Sequence, residues 1–131
     1  MKVLEDYISE LTQDVQIDEF SMKDVQMKLP AIKHKWTGRL MRAKIDIQDS
    51  YKKKYFLVND LADRLVSESP ITISNVLAKK KVEDHQKVRD LDHHIKEMKI
   101  IVEFLEKTER TLSSITFDIR NLVEIIKLET Q

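Results

Sequence analysis

From Val88 to Gln131 the chain contains neither glycine nor proline, and its apolar residues recur every seven positions, so the stretch can only be one long helix. One seam position holds Val88, Ile95, Val102, Glu109, Thr116 and Val123; the other holds Leu91, Met98, Leu105, Leu112, Ile119 and Ile126, apolar at all six. Ile101, Ile115 and Leu122 widen the stripe beyond a narrow two-stranded seam, which favours contact with more than one neighbour. A helix packed inside its own small bundle has the same spacing. Length separates the alternatives. Such a helix extends about 60 Å, more than the shorter helices expected earlier in the chain could cover, and uncovered apolar surface implies a partner. The seam at Leu91, Met98, Leu105, Leu112, Ile119 and Ile126 is therefore expected to hold copies of the chain together as a homo-oligomer.

The rest of the chain is also expected to be helical. One glycine (Gly38), two prolines (Pro30 and Pro70) and a charged fraction of 35% suit long solvated helices rather than sheets with tight turns. Leu4, Ile8 and Leu11 place a short amphipathic helix over Val3–Thr12. Ser21 followed by Asp24 marks a second helix start. Pro30 is expected to end that helix, because proline lacks a donor and restricts the residue before it. A longer helix begins near Ala31, with Leu40, Ile47, Tyr51, Tyr55, Val58, Ala62 and Leu65 on one face and Lys35, Arg39, Arg42 and Lys53 opposite. Ser67-Glu68-Ser69-Pro70 breaks it, and Thr72 or Ser74 can cap the next helix. The expectation is an all-α fold in one domain, 1–131. It comprises short acidic N-terminal helices (1–29), one long basic amphipathic helix (30–66) and a C-terminal coiled-coil-like oligomerisation helix (71–131).

A formal net charge of zero conceals a strong separation. Residues 1–24 hold two basic and seven acidic side chains. Residues 28–54 hold nine basic (Lys28, Lys33, Lys35, Arg39, Arg42, Lys44, Lys52, Lys53, Lys54) against Asp46 and Asp49, and residues 55–131 hold twelve against fourteen. A polyanion would meet one segment rather than the whole surface. Trp36, Tyr51, Tyr55 and Phe56 are interleaved with these cations. Lysine and arginine neutralise phosphates by releasing counterions, and exposed rings stack on unpaired bases, a combination suited to single-stranded DNA. Tyr51 and Tyr55 fall on the apolar face and are expected in the core. Trp36 lies at its edge, where packing and stacking both remain open. Lys79-Lys80-Lys81 reads as a solvated run that could extend the path.

Other chemistry finds little support. One glycine cannot build a phosphate-cradling loop, and nothing sets a serine or threonine beside a histidine as nucleophilic catalysis requires. Asp90–His94 and His93–Glu97 are i, i+4 pairs, but they form one cluster on the polar side of the seam and read as surface side chains. No cofactor or metal and no enzymatic activity are expected. The chain has no cysteine, which excludes disulfides and suits a reducing compartment. No apolar run approaches the roughly 18 residues of a membrane span, and no export signal is evident.

The N-terminal motif Leu4-Glu5-Asp6, then Glu10-Leu11, then Asp14-Val15-Gln16-Ile17-Asp18, resembles the opening segment of the UvsY family, the recombination mediators of T-even-type phages. Lys35-Trp36 falls in register with that family's Lys-Trp pair, and a weaker similarity of apolar pattern runs from Ile100 through Leu105 to Ile126. The resemblance implies an assembly factor rather than an enzyme. Such a factor binds single-stranded DNA, weakens the hold of the phage single-strand-binding protein and loads a UvsX-type recombinase. It implies a hexamer or heptamer held by the C-terminal region, acting in the cytoplasm of the infected host cell. One element departs. The family's basic-Ala-Arg-Leu motif aligns without gaps on Asn59-Asp60-Leu61-Ala62, which has no positive charge, and only a shifted alignment recovers Arg64-Leu65. The DNA-binding residues are therefore placed upstream, at Lys35, Arg39, Arg42 and Lys53, with Lys52, Lys54 and Trp36. The alternative is a coiled-coil scaffold or adaptor that binds other proteins and not DNA.

Overall fold

The structure, a computed structural model, describes residues 1–18 and 20–130. It is all-α: α1 (Lys2–Asp14), α2 (Met22–Glu68), α3 (Asn75–Val82) and α4 (Gln86–Thr130), with no strand among the described residues. The helix starts and stops follow local chemistry. At the entry to α2 the Asp18 carboxylate accepts from the Ser21 N–H (2.7 Å) and the Phe20 N–H (2.8 Å), while the Ser21 hydroxyl accepts from the Asp18 N–H (3.0 Å). This reciprocal cap holds Asp18 below its ordinary pKa, the bond from the Ser21 amide contributing most. Ser74 caps α3 by accepting from the Leu77 N–H at 3.2 Å.

Pro30 does not end a helix; it lies inside α2, which runs through it for 47 residues. An interior proline costs about 3 kcal/mol through a lost hydrogen bond and a ring clash. Packing on either side offsets that cost. Val25 and Leu29 precede the proline and Trp36 and Leu40 follow it, all buried, while Pro30 itself is exposed. A row spaced by seven, Leu29, Trp36, Ala43 and Ser50, forms the buried line of α2. Two of its members are small, and one is polar, satisfied by a bond from the Ser50 hydroxyl to the Asp46 carboxylate at 3.0 Å.

An unbroken α2 of 47 residues beside an α4 of 45 removes the premise that the earlier helices are too short. Of the residues expected at an oligomer seam, Leu105, Leu112 and Ile119 are buried within the single chain, as are Val88 and Ile95 at the other seam position. The middle of the seam, from Leu105 to Ile119, thus packs inside the chain, while Leu91, Met98 and Ile126 are half-buried and keep part of their surface exposed.

The described chain forms two compact units, Met1–Arg42 with Ile101–Gln131 and Ala43–Ile100. In the first, Trp36, Leu40, Leu105, Leu112, Ile115 and Ile119 make the core, with the Thr108 hydroxyl satisfied by the Phe104 carbonyl at 2.9 Å. In the second, Ala62, Ala78 and Val82 pack against Val58, Leu61, Leu65, Val66 and Ile73, which seats α3 on the end of α2. No helix is long and apolar enough to cross a membrane.

Candidate nucleic-acid interface

The basic segment of α2 divides into cations engaged within the fold and cations left in solvent. In the first unit Trp36 is fully buried, which excludes the stacking role considered for it in this structure. Its ring meets Tyr7 of α1 edge-on (centroids 5.6 Å, 85°) and Phe104 of α4 (6.3 Å, 74°), and its Nε1–H donates to Asp14 at 2.9 Å. Lys35 donates to the same carboxylate at 2.6 Å, with Glu10 at 3.8 Å. Arg39 forms a two-point hydrogen bond with Glu10, and its guanidinium lies over both Tyr7 (4.8 Å) and Trp36 (4.7 Å).

The consequences for charge are direct. The hydrogen bond from Arg39 holds Glu10 below its ordinary pKa against the opposing effect of burial, and the same bond raises Arg39. α1 buries no residue completely, so it is held by this polar network and by its half-buried Leu4, Tyr7 and Leu11. Asp14 is the last residue of α1, where a helix dipole disfavours an acid; its partners Lys35 and Trp36 account for its presence there. The acidic N-terminal helix neutralises the chain's own Lys35 and Arg39. These two, expected to contact DNA, are already partnered. Arg42, further along α2, is exposed and makes no ion pair among the described residues; its guanidinium lies back over Gly38, where a Cβ would sit 3.4 Å from Nη1.

In the second unit the balance reverses. Lys52 and Lys53 are exposed, with no ion pair among the described residues, whereas Lys54 pairs with Asp92 of α4 at 2.7 Å. Tyr51 and Tyr55 are not core residues. They are 45% and 64% exposed, and Phe56 is 67% exposed. The Lys99 ammonium sits 5.3 Å from the Tyr51 ring centre, and Tyr55 meets Phe56 edge-on (5.5 Å, 75°). The rings left the core because the buried line of α2 runs through Ala43 and Ser50 rather than through the most apolar residues, which turns the tyrosines to the rim. Two adjacent aromatics, Tyr55 and Phe56, point about 100° apart on a helix, so a narrow buried line with a seven-residue spacing takes at most one of them. That was the available signal for an exposed ring. Lys99 belongs to this site by proximity alone, and no sequence pattern pointed to it.

The histidines turn to separate partners. His94 Nε2 contacts the Asp46 carboxylate at 2.7 Å and His93 Nε2 contacts Glu97 at 3.0 Å. Burial raises Asp46, but the hydrogen bonds from His94 and Ser50, with the charges of His94 and Lys53, bring it below its ordinary value. No group of three potential metal ligands assembles among the described residues. What the surface offers is free ammonium groups beside exposed rings, a binding chemistry for an anion with planar groups.

The fold defines a class, small all-helical chains built on two long helices with a short acidic helix packed on one of them. The particular fold is that of UvsY. The chain matches the crystal structure of the bacteriophage T4 recombination mediator protein UvsY with a TM-score of 0.79 at 18% identity, covering 96% of this chain and 98% of that one. No protein-family model and no curated protein sequence matches.

Proposed function

We propose that this chain is a recombination mediator and not an enzyme. It binds single-stranded DNA as a homo-oligomer and promotes loading of a UvsX-type recombinase onto strands covered by single-strand-binding protein, in the cytoplasm of the infected host cell. The observation that carries this reading is the near end-to-end match in fold to a recombination mediator protein. The exposed cations Arg42, Lys52 and Lys53 support the DNA-binding part, each acting by displacing counterions from phosphate.

Self-association is supported by the C-terminal end of the expected stripe, where the seam residue Ile126 and its neighbour Leu122 border a groove. Near the end of α4, Phe117, Leu122, Ile125 and Leu128 are 64%, 40%, 50% and 71% exposed. Leu122 and Ile125 line that groove, of about 270 Å³, with Ile17 and Met22. Apolar surface of this kind is characteristic of protein contacts. Repeating a modest basic face around an oligomer would raise avidity on one strand without any new contact.

The test is fluorescence anisotropy of a labelled oligo-dT strand titrated with the full chain at about 50 and about 200 mM salt. Strong, salt-sensitive binding is expected. Reversing Lys52 and Lys53 to Glu should weaken it at least tenfold and reduce the salt slope by about 0.7 for each phosphate no longer neutralised. A wild-type chain with no measurable affinity would overturn the reading in favour of a protein-binding scaffold.

A further inference from the structure

We infer that Tyr55 and Phe56 form a base-stacking platform on α2, with Lys52, Lys53 and Lys99 as its phosphate-facing rim, which gives the surface a preference for unpaired nucleotides over a bare polyphosphate. This deepens the single-stranded-DNA reading and rests on it. Large exposed rings are costly to solvate, and two of them side by side on a charged helix call for an occupant. The charge around them selects it. Lys52 lies one helical turn from both rings, three residues before Tyr55 and four before Phe56, the spacing at which helix side chains are neighbours. Lys53 is three residues before Phe56, and Lys99 arrives from α4 to sit over Tyr51, itself four residues from Tyr55. Asp49 lies one turn before Lys52 and Lys53, and no ion pair joins it to either among the described residues. Lys52 and Lys53 therefore remain available to an external anion.

The ring geometry restricts the ligand further. Tyr55 and Phe56 stand at 75° to one another, so bases lying flat on each of them cannot also lie flat on one another. A duplex keeps its bases stacked and shows this surface only its backbone. A single strand can splay successive bases, one onto each ring, while its phosphates run along the lysines. A second copy of this chain fits less well, since a two-fold contact at this patch would bring Lys52 and Lys53 against their own counterparts.

The experiment compares two labelled strands of equal length, oligo-dT and an abasic strand with the same phosphates and no bases, against wild type, Tyr55→Ala/Phe56→Ala and Lys52→Glu/Lys53→Glu. Wild type should bind oligo-dT at least about fivefold more tightly than the abasic strand, since each stacked base contributes a factor of that order or more. The aromatic variant should lose that preference, bind both strands equally and keep the wild-type salt slope. Tyr55→Phe should retain the preference. Both rings are exposed, so an unchanged thermal midpoint and unchanged Trp36 emission would show that the variant folds. Equal wild-type affinity for the two strands, or an aromatic variant with full oligo-dT preference, overturns the platform while the function stands, provided the lysine variant still weakens binding. A wild type that binds neither strand overturns both. An aromatic variant that changes oligomer mass but not DNA affinity overturns the platform and makes the patch a protein interface.

Discussion

Two clusters on the same helix combine aromatic rings with cations, and the fold uses them in opposite ways. Around Trp36, Lys35 and Arg39 are bound to Glu10 and Asp14 of α1, and the ring is sealed beneath them. Around Tyr55, two lysines and two rings are left in water. The residue types are alike. What differs is the neighbour, since an acidic helix covers the first cluster and nothing described covers the second. Aromatic-basic composition marks a region, therefore, and the packing of one additional helix decides whether the region is structure or surface.

The largest effect that would break this contrast is the removal of Trp36. Burial of such a ring contributes roughly 4–6 kcal/mol by area, and Trp36→Ala should lower stability by about 3–5 kcal/mol, visible as a lower urea midpoint. A loss below about 1 kcal/mol would mean that Trp36 is more accessible than its burial indicates.

The latch between α1 and α2 is the next test. Glu10→Gln keeps the shape but removes the charge, and because the pair is partly exposed the loss should be only about 1 kcal/mol. Its pH dependence has a definite sign. Glu10 is held below its ordinary 4.5 in the folded chain. Its contribution is therefore complete above that value and fades as pH falls through the folded value, with Arg39 charged throughout. Acidification from about pH 6 to below pH 4 should loosen α1 and shift Trp36 emission, since Trp36 touches Tyr7 and Asp14. Asp46 responds with the same sign in the other unit. A smaller acid shift in Glu10→Gln than in wild type would single out the latch, and an equal shift would assign it elsewhere. The smallest effect should come from Phe56→Ala, within about 0.5 kcal/mol of wild type by thermal melt, and a larger loss would show that the second cluster is packed after all.

Local patterns were readable without coordinates. The helix at residues 2–14, the start of α2 after Ser21, the break after Glu68, the Ser74 cap and the long breaker-free α4 each depend on residues within a turn or two of one another. Even so, α1 packs through Leu4, Tyr7 and Leu11 with Ile8 exposed, and the Ser21 start is completed by Asp18 rather than Asp24. Pro30 misled because its local cost is real but smaller than the burial of Val25, Leu29, Trp36 and Leu40 around it. Tyr55 misled because apolarity indicated a core face that small residues, Ala43 and Ser50, occupy instead.

The sequence alone therefore determined an all-helical chain and the separation of acidic from basic segments, since both depend on short-range periodicity and charge counting. Only the tertiary structure decided which cations are free. Lys35 and Arg39 are neutralised by partners 21 and 29 residues away, and no local pattern specifies a contact across that distance. The exposure of Tyr55 and Phe56 was likewise decided by which face of α2 packs.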